Sequence, residues 1–125
     1  MIVSVLTQVR ILYQAQSYDD ALAVLERYAT SNELSTEMLL LKSRLIQLSE
    51  TGRYDLLEAK QCLLQALGRD AENSKAMLEL GWLCLNVFDE VTEAREYFIQ
   101  ALAVTRLAEK EASEGLKKCE RFDLH

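Results

Sequence analysis

The chain has 125 residues, no proline and only four glycines. Nothing therefore breaks the backbone often. Ala, Leu, Glu, Gln, Lys and Arg are plentiful and lose little side-chain freedom in a helix. That balance selects an all-α fold. Histidine is almost missing too: the single copy, His125, is the last residue, where a frayed end is expected and not an acid–base catalyst. There is no glycine-rich phosphate loop and no CxxC or HxxxH pair to hold a metal. The carboxylates, among them Glu109, Glu111 and Glu114, are spread along solvent faces and do not converge with a nucleophile or base. No enzyme activity, no cofactor and no metal are expected. Cys62, Cys84 and Cys119 are odd in number and far apart on helical patterns, which suits buried, reduced thiols in the cytoplasm better than disulfides.

Positive charge is also scarce. Fourteen Lys and Arg stand against twenty Asp and Glu, for a formal net charge of −6. The basic residues form no stripe, so neither nucleic acid nor an anionic membrane surface is an expected partner. A basic protein or peptide would instead be steered toward this surface. Every apolar stretch is interrupted by polar residues within a few positions, too soon to span a bilayer. The start, MIVSVLTQVRILYQ, lacks a basic region and a small-residue cleavage site and does not read as a signal peptide. Half of the residues are apolar, enough for a packed core. No linker or low-complexity tract divides the chain, which reads as one domain over 1–125.

What is present is a repeat. Residues 58–67 read EAKQCLLQAL and 93–102 read EAREYFIQAL, an offset of 35 residues. Ala59, Leu63 and Ala66 share their spacing with Ala94, Phe98 and Ala101. A weaker copy, DDALAVLERYA, supplies Ala21, Leu25 and Tyr28. Steps of four and then three place each trio on one helical stripe, where the small residues admit a neighbouring helix closely. Offsets of this size occur where a helix pair is the repeating unit.

With SYDDA (17–21), TGRYD (51–55) and Leu80–Gly81 ahead of these stripes, nearly the whole chain resembles the tetratricopeptide repeat, or TPR. The resemblance implies a right-handed superhelix of antiparallel helix pairs in about three units, near 2–30, 35–68 and 73–103. Seven helices are expected, at about 2–16, 18–29, 35–50, 54–67, 73–87, 90–103 and 105–120. Ser35 or Thr36 and Asn73 or Ser74 are candidate N-caps. Gly68 suits a position just past a helix end, and Gly52 a turn. The last helix gathers Val104, Leu107, Ala108, Ala112, Leu116 and Cys119 on one face and reads as a cap over the terminal unit. The chain departs from the family in lacking the proline that closes a unit. Either Lys42 or Ser43 takes the small position of the second unit.

The resemblance also implies a function in protein or peptide binding, as an adaptor or chaperone-like module, in a groove lined by the first helix of each unit. Carried onto this chain, the groove takes Arg10 and Tyr13, then Leu39, Ser43 and Ile46, then Lys75, Leu78, Glu79, Trp82 and Leu85. The last five share one helix face by their own spacing. For Trp82, Tyr13 and Leu78 a core position is the competing reading. Lys75 and Arg10 are isolated cations and do not reproduce the Lys, Arg and Asn set with which some members hold a terminal carboxylate. An apolar groove suits a hydrophobic segment. Two alternatives stand beside this reading. One is a small acidic immunity or antitoxin-like protein that binds a folded partner. The other is a self-associating piece of a longer array, a homodimer forming through the apolar first helix (Ile2, Val3, Val5, Leu6, Val9).

Overall fold

Local capping chemistry decides where most helices begin. The computed structural model describes residues 4–123, and among them every regular element is an α-helix. Ser4 opens α1 (Val5–Gln14) by accepting the Thr7 N–H at 3.1 Å. Helix α2 covers Tyr18–Ala29. Ser35 caps α3 (Thr36–Leu48) through the Met38 N–H at 3.2 Å, and Asp55 caps α4 (Leu56–Arg69) through the Leu57 N–H at 3.0 Å. Asn73 caps α5 (Ser74–Asn86) through the Ala76 N–H at 3.0 Å. Each cap satisfies one of the donors that a helix start leaves unpaired. Helix α6 runs over Val91–Asp123.

Three expectations change here. The helices number six among the described residues, because 90–103 and 105–120 form the single 33-residue α6. Nothing between Ala103 and Arg106 can stop a helix. Thr105 is absorbed by turning its hydroxyl back onto the Ala101 carbonyl at 3.1 Å. The expected capping face is not packed where it is described beyond Val104: Val104 is half-buried, but Leu107, Leu116 and Cys119 are exposed. The side chains of Ala108 and Ala112 lie outside those described. Gly68 does not end α4 but sits in its last turn, and Arg69 reaches from there to donate to the Leu34 carbonyl. His125, Ile2 and Val3 lie outside the described residues.

The chain divides into two compact units, one ending at Ala71 and the other starting at Glu72. In the first, α1 packs on α2, α2 on α3 and α3 on α4. Its core holds Val9, Leu22, Leu25, Leu39, Leu45 and Leu63, with Ala21, Ala59 and Ala66 at the close helix contacts. Each fully buried leucine contributes about 1.5–3 kcal/mol over an exposed one. Polar ties join distant segments. Asp19 accepts from the Ser49 hydroxyl at 2.7 Å and from Thr51 at 3.2 Å, and the Tyr54 hydroxyl donates to Glu26. Burial first, and that hydrogen bond second, push the Tyr54 phenol up to about 12. Gln16 and Gly52 make their turns with positive φ, 61° and 68°.

The second unit is the antiparallel pair α5 and α6, joined through a tight turn in which Asp89 takes φ 55°. Asp tolerates that left-handed conformation better than most residues. Met77, Leu80, Leu83 and Cys84 are buried on α5, and Ala94 and Ala101 on α6. Gly81 is the point of closest approach. A β-carbon there would lie 2.7 Å from Cε1 of Phe98, so the ring occupies the space a side chain would need.

Candidate functional site

The second unit carries a continuous apolar face on its solvent side. On α5 it comes from Leu78, Trp82 and Leu85, with Lys75 heading the same stripe at spacings of three, four and three residues. Trp82 is 56% exposed and Leu78 44%; Leu85 is half-buried. Neither Trp82 nor Leu78 is a core residue, so the competing core reading falls for both. The indole meets the Phe98 ring edge to face, centroids 5.1 Å apart and planes at 70°, a favoured arrangement for aromatic quadrupoles. Glu79, between Leu78 and Leu80, is half-buried.

Helix α6 supplies the other wall. Val91, Arg95, Ile99 and Leu102 follow at four, four and three residues, a second stripe facing outward beside the buried Ala94–Ala101 stripe. Ile99 is 59% exposed and Leu102 50%. With Leu85, Ala94 and Phe98 they line an open pocket of about 310 Å³. Phe98 is shared: one edge packs over Gly81, and its ring contacts Trp82 and borders the pocket. The aliphatic walls make this a surface for apolar side chains, with Arg95 as the charged group at its edge.

The residues expected in a groove on the first unit are placed differently. Leu39, Ser43 and Ile46 are buried, so they are core and not binding surface. Helix α3, TEMLLLKSRLIQL, is apolar on more than one side, and its inner side takes these three. The Ser43 hydroxyl accepts from Gln47 Nε2 at 3.3 Å. Arg10 is exposed and ion-paired with Glu37. Tyr13 is half-buried against Tyr18, centroids 6.0 Å apart. On α1, Val9 is buried and Val5 and Leu6 are half-buried, so much of its apolar side packs inward, and Ile11 is left 57% exposed. A second pocket, of about 300 Å³, lies between α1 and α2, lined by Val5, Gln8, Val24, Arg27 and Tyr28.

Thiol chemistry divides by burial. Cys62 and Cys84 are buried, and desolvation pushes the Cys62 thiol up although Lys42 opposes it. Cys119 is exposed on α6, against the expectation that it packs. Among the described residues no helix is long and apolar enough to cross a membrane, and no group of three His, Cys, Asp or Glu side chains is placed to hold a metal ion. Comparison with protein-family models, with curated proteins and with solved structures found no match.

Proposed function

We propose that the chain is a protein-interaction module of TPR-like helix pairs, adaptor or chaperone-like, and that it binds an apolar segment of a partner on the α5–α6 face. The observation that carries this reading is Trp82, a large rigid side chain more than half exposed within an apolar face. Exposing so much apolar surface without covering it is unusual for a soluble fold. Aromatic anchors of this kind supply most of the energy at protein interfaces. The TPR-like register draws support from the buried small residues of its stripes, Ala21, Ala59, Ala66, Ala94 and Ala101.

The test uses the chain's only tryptophan. A synthetic amphipathic peptide with leucine at i, i+3, i+4 and i+7 and glutamine elsewhere is titrated in while Trp82 emission is followed. Saturable binding with a shift to the blue is expected as the indole leaves water. Emission that stays unchanged up to millimolar peptide would refute the proposal.

A further inference from the structure

The charged residues that bracket the α5–α6 face within its apolar stripes are basic, although the chain as a whole is acidic. Between Val91 and Arg106, α6 has four charged residues: Glu93, Arg95, Glu96 and Arg106. Arg95 and Arg106 continue the outward stripe of Val91, Ile99 and Leu102, each four residues from its neighbour in that row. Glu93 falls on the opposite side of the helix, whereas Glu96, three residues before Ile99, flanks the stripe on the side away from the packed Ala94–Ala101 row. On α5 the same stripe begins with Lys75. The antiparallel pairing that sets Trp82 against Phe98 brings Lys75, seven residues before Trp82, level with Thr105 and Arg106. The groove thus has Arg95 at one end and Lys75 with Arg106 at the other. All three are exposed, and none is paired with a carboxylate among the described residues. Of the acidic groups nearby, Glu79 is half-buried with interactions of its own, Glu96 stands at the outer flank of the stripe, and Glu109 ends the same stripe one turn beyond Arg106.

We propose that this face binds an acidic amphipathic helix of another protein, its apolar side chains along Trp82, Phe98 and the adjoining pocket and its flanking carboxylates on Lys75, Arg95 and Arg106. The proposal rests on the reading of the face as a protein-binding surface and adds the chemistry of the partner. The dimensions agree. Leu78 to Leu85 is seven residues, about 10 Å of helix, the span over which a partner helix presents apolar residues from i to i+7. Charges at the rim of an apolar contact select among partners and speed their arrival more than they add affinity. Cations at both ends of the face therefore disfavour basic partners there, even though the net charge of −6 would draw them in from a distance.

Three peptides with the same leucine pattern test it, their flanks carrying glutamate, glutamine or lysine, with Trp82 emission as the readout. The glutamate peptide is expected to bind at least tenfold more tightly than the lysine peptide, with the advantage shrinking as salt is raised. In Arg95→Glu, an exposed position that leaves the packing untouched, the order should narrow or reverse. Equal or tighter binding of the lysine peptide would overturn the acidic partner while leaving the face a protein-binding surface. No response to any of the three would remove both readings. Two controls bear on the occupant. A blue shift on concentrating the protein alone would assign the face to a second copy. A shift with phosphatidylserine vesicles, but with no peptide, would assign it to a membrane. Either result overturns the proposal.

Discussion

Replacing Gly81 by alanine sets two effects of known size against each other. Alanine is the better helix former by about 0.8–1.0 kcal/mol, so the change would stabilise α5 if the site were open. The new β-carbon, however, would stand 2.7, 2.8 and 2.9 Å from three atoms of the Phe98 ring. Contacts that short do not persist, and the ring has to move off α5. Overpacking of this kind costs about 1–3 kcal/mol. The net expectation is a loss of roughly 0–2 kcal/mol in unfolding free energy, read from urea denaturation followed by Trp82 fluorescence. The sign should flip when the ring is gone. In a Phe98→Ala background, Gly81→Ala should stabilise by close to the full helix-propensity gain of about 1 kcal/mol. The double-mutant cycle isolates the pair, since only the contact between positions 81 and 98 distinguishes the two backgrounds. The emission of Trp82 should change with Gly81→Ala as well, because its neighbour in the edge-to-face contact has shifted. If Gly81→Ala stabilises the unaltered chain by the full helical gain, the α5–α6 packing described here is wrong.

Other expectations concern the first unit and the titrating groups. Ala59→Leu, at a fully buried position of α4, should destabilise by about 1–3 kcal/mol through overpacking, and a neutral effect in denaturant titration would argue against its close helix contact. In the native protein one thiol, Cys119, should react with a thiol reagent, and Cys62 and Cys84 only after unfolding; three fast-reacting thiols would contradict the burial. The Tyr54 phenol is raised in the folded state, from 10.0 to about 12. The stability it contributes is complete below pH 10 and is lost as the pH climbs through 12. Tyr54→Phe should flatten that alkaline decline and remove roughly 0.5–1.5 kcal/mol at neutral pH. An alkaline stability curve unchanged by the substitution would count against the Tyr54–Glu26 contact.

Helix class and most helix starts could be read in the chain because they depend on local chemistry: no proline, a periodic apolar pattern, and caps such as Ser35 and Asn73 whose side chains reach their own next turn. The union of the last two helices could not. A break near residue 104 was an implication of family resemblance, and no residue there carries a stop signal of its own. The α5 half of the candidate site was legible for a similar reason, since Lys75, Leu78, Trp82 and Leu85 fall on one stripe by spacing alone. The α6 half was hidden behind a stronger signal. Ala94, Phe98 and Ala101 mark the packed side of α6, while Ile99 and Leu102 form a second apolar side of the same helix. Only the position of α5 tells the two apart. Leu39, Ser43 and Ile46 show the opposite limit: in a helix apolar on several sides, periodicity does not say which side the neighbours take.

The most direct test of the account is Trp82→Ala, measured for binding and for stability in the same preparation. With more than half its surface already in water, Trp82 contributes modestly to folding, so the denaturation midpoint should shift little. As the central anchor of the face it should contribute about 2 kcal/mol or more to an interface. Affinity for the glutamate-flanked amphipathic peptide, measured by calorimetry, should then fall at least about thirtyfold. A stability loss of about 3–5 kcal/mol with peptide affinity unchanged is the behaviour of a truncated core aromatic, and it would contradict the account.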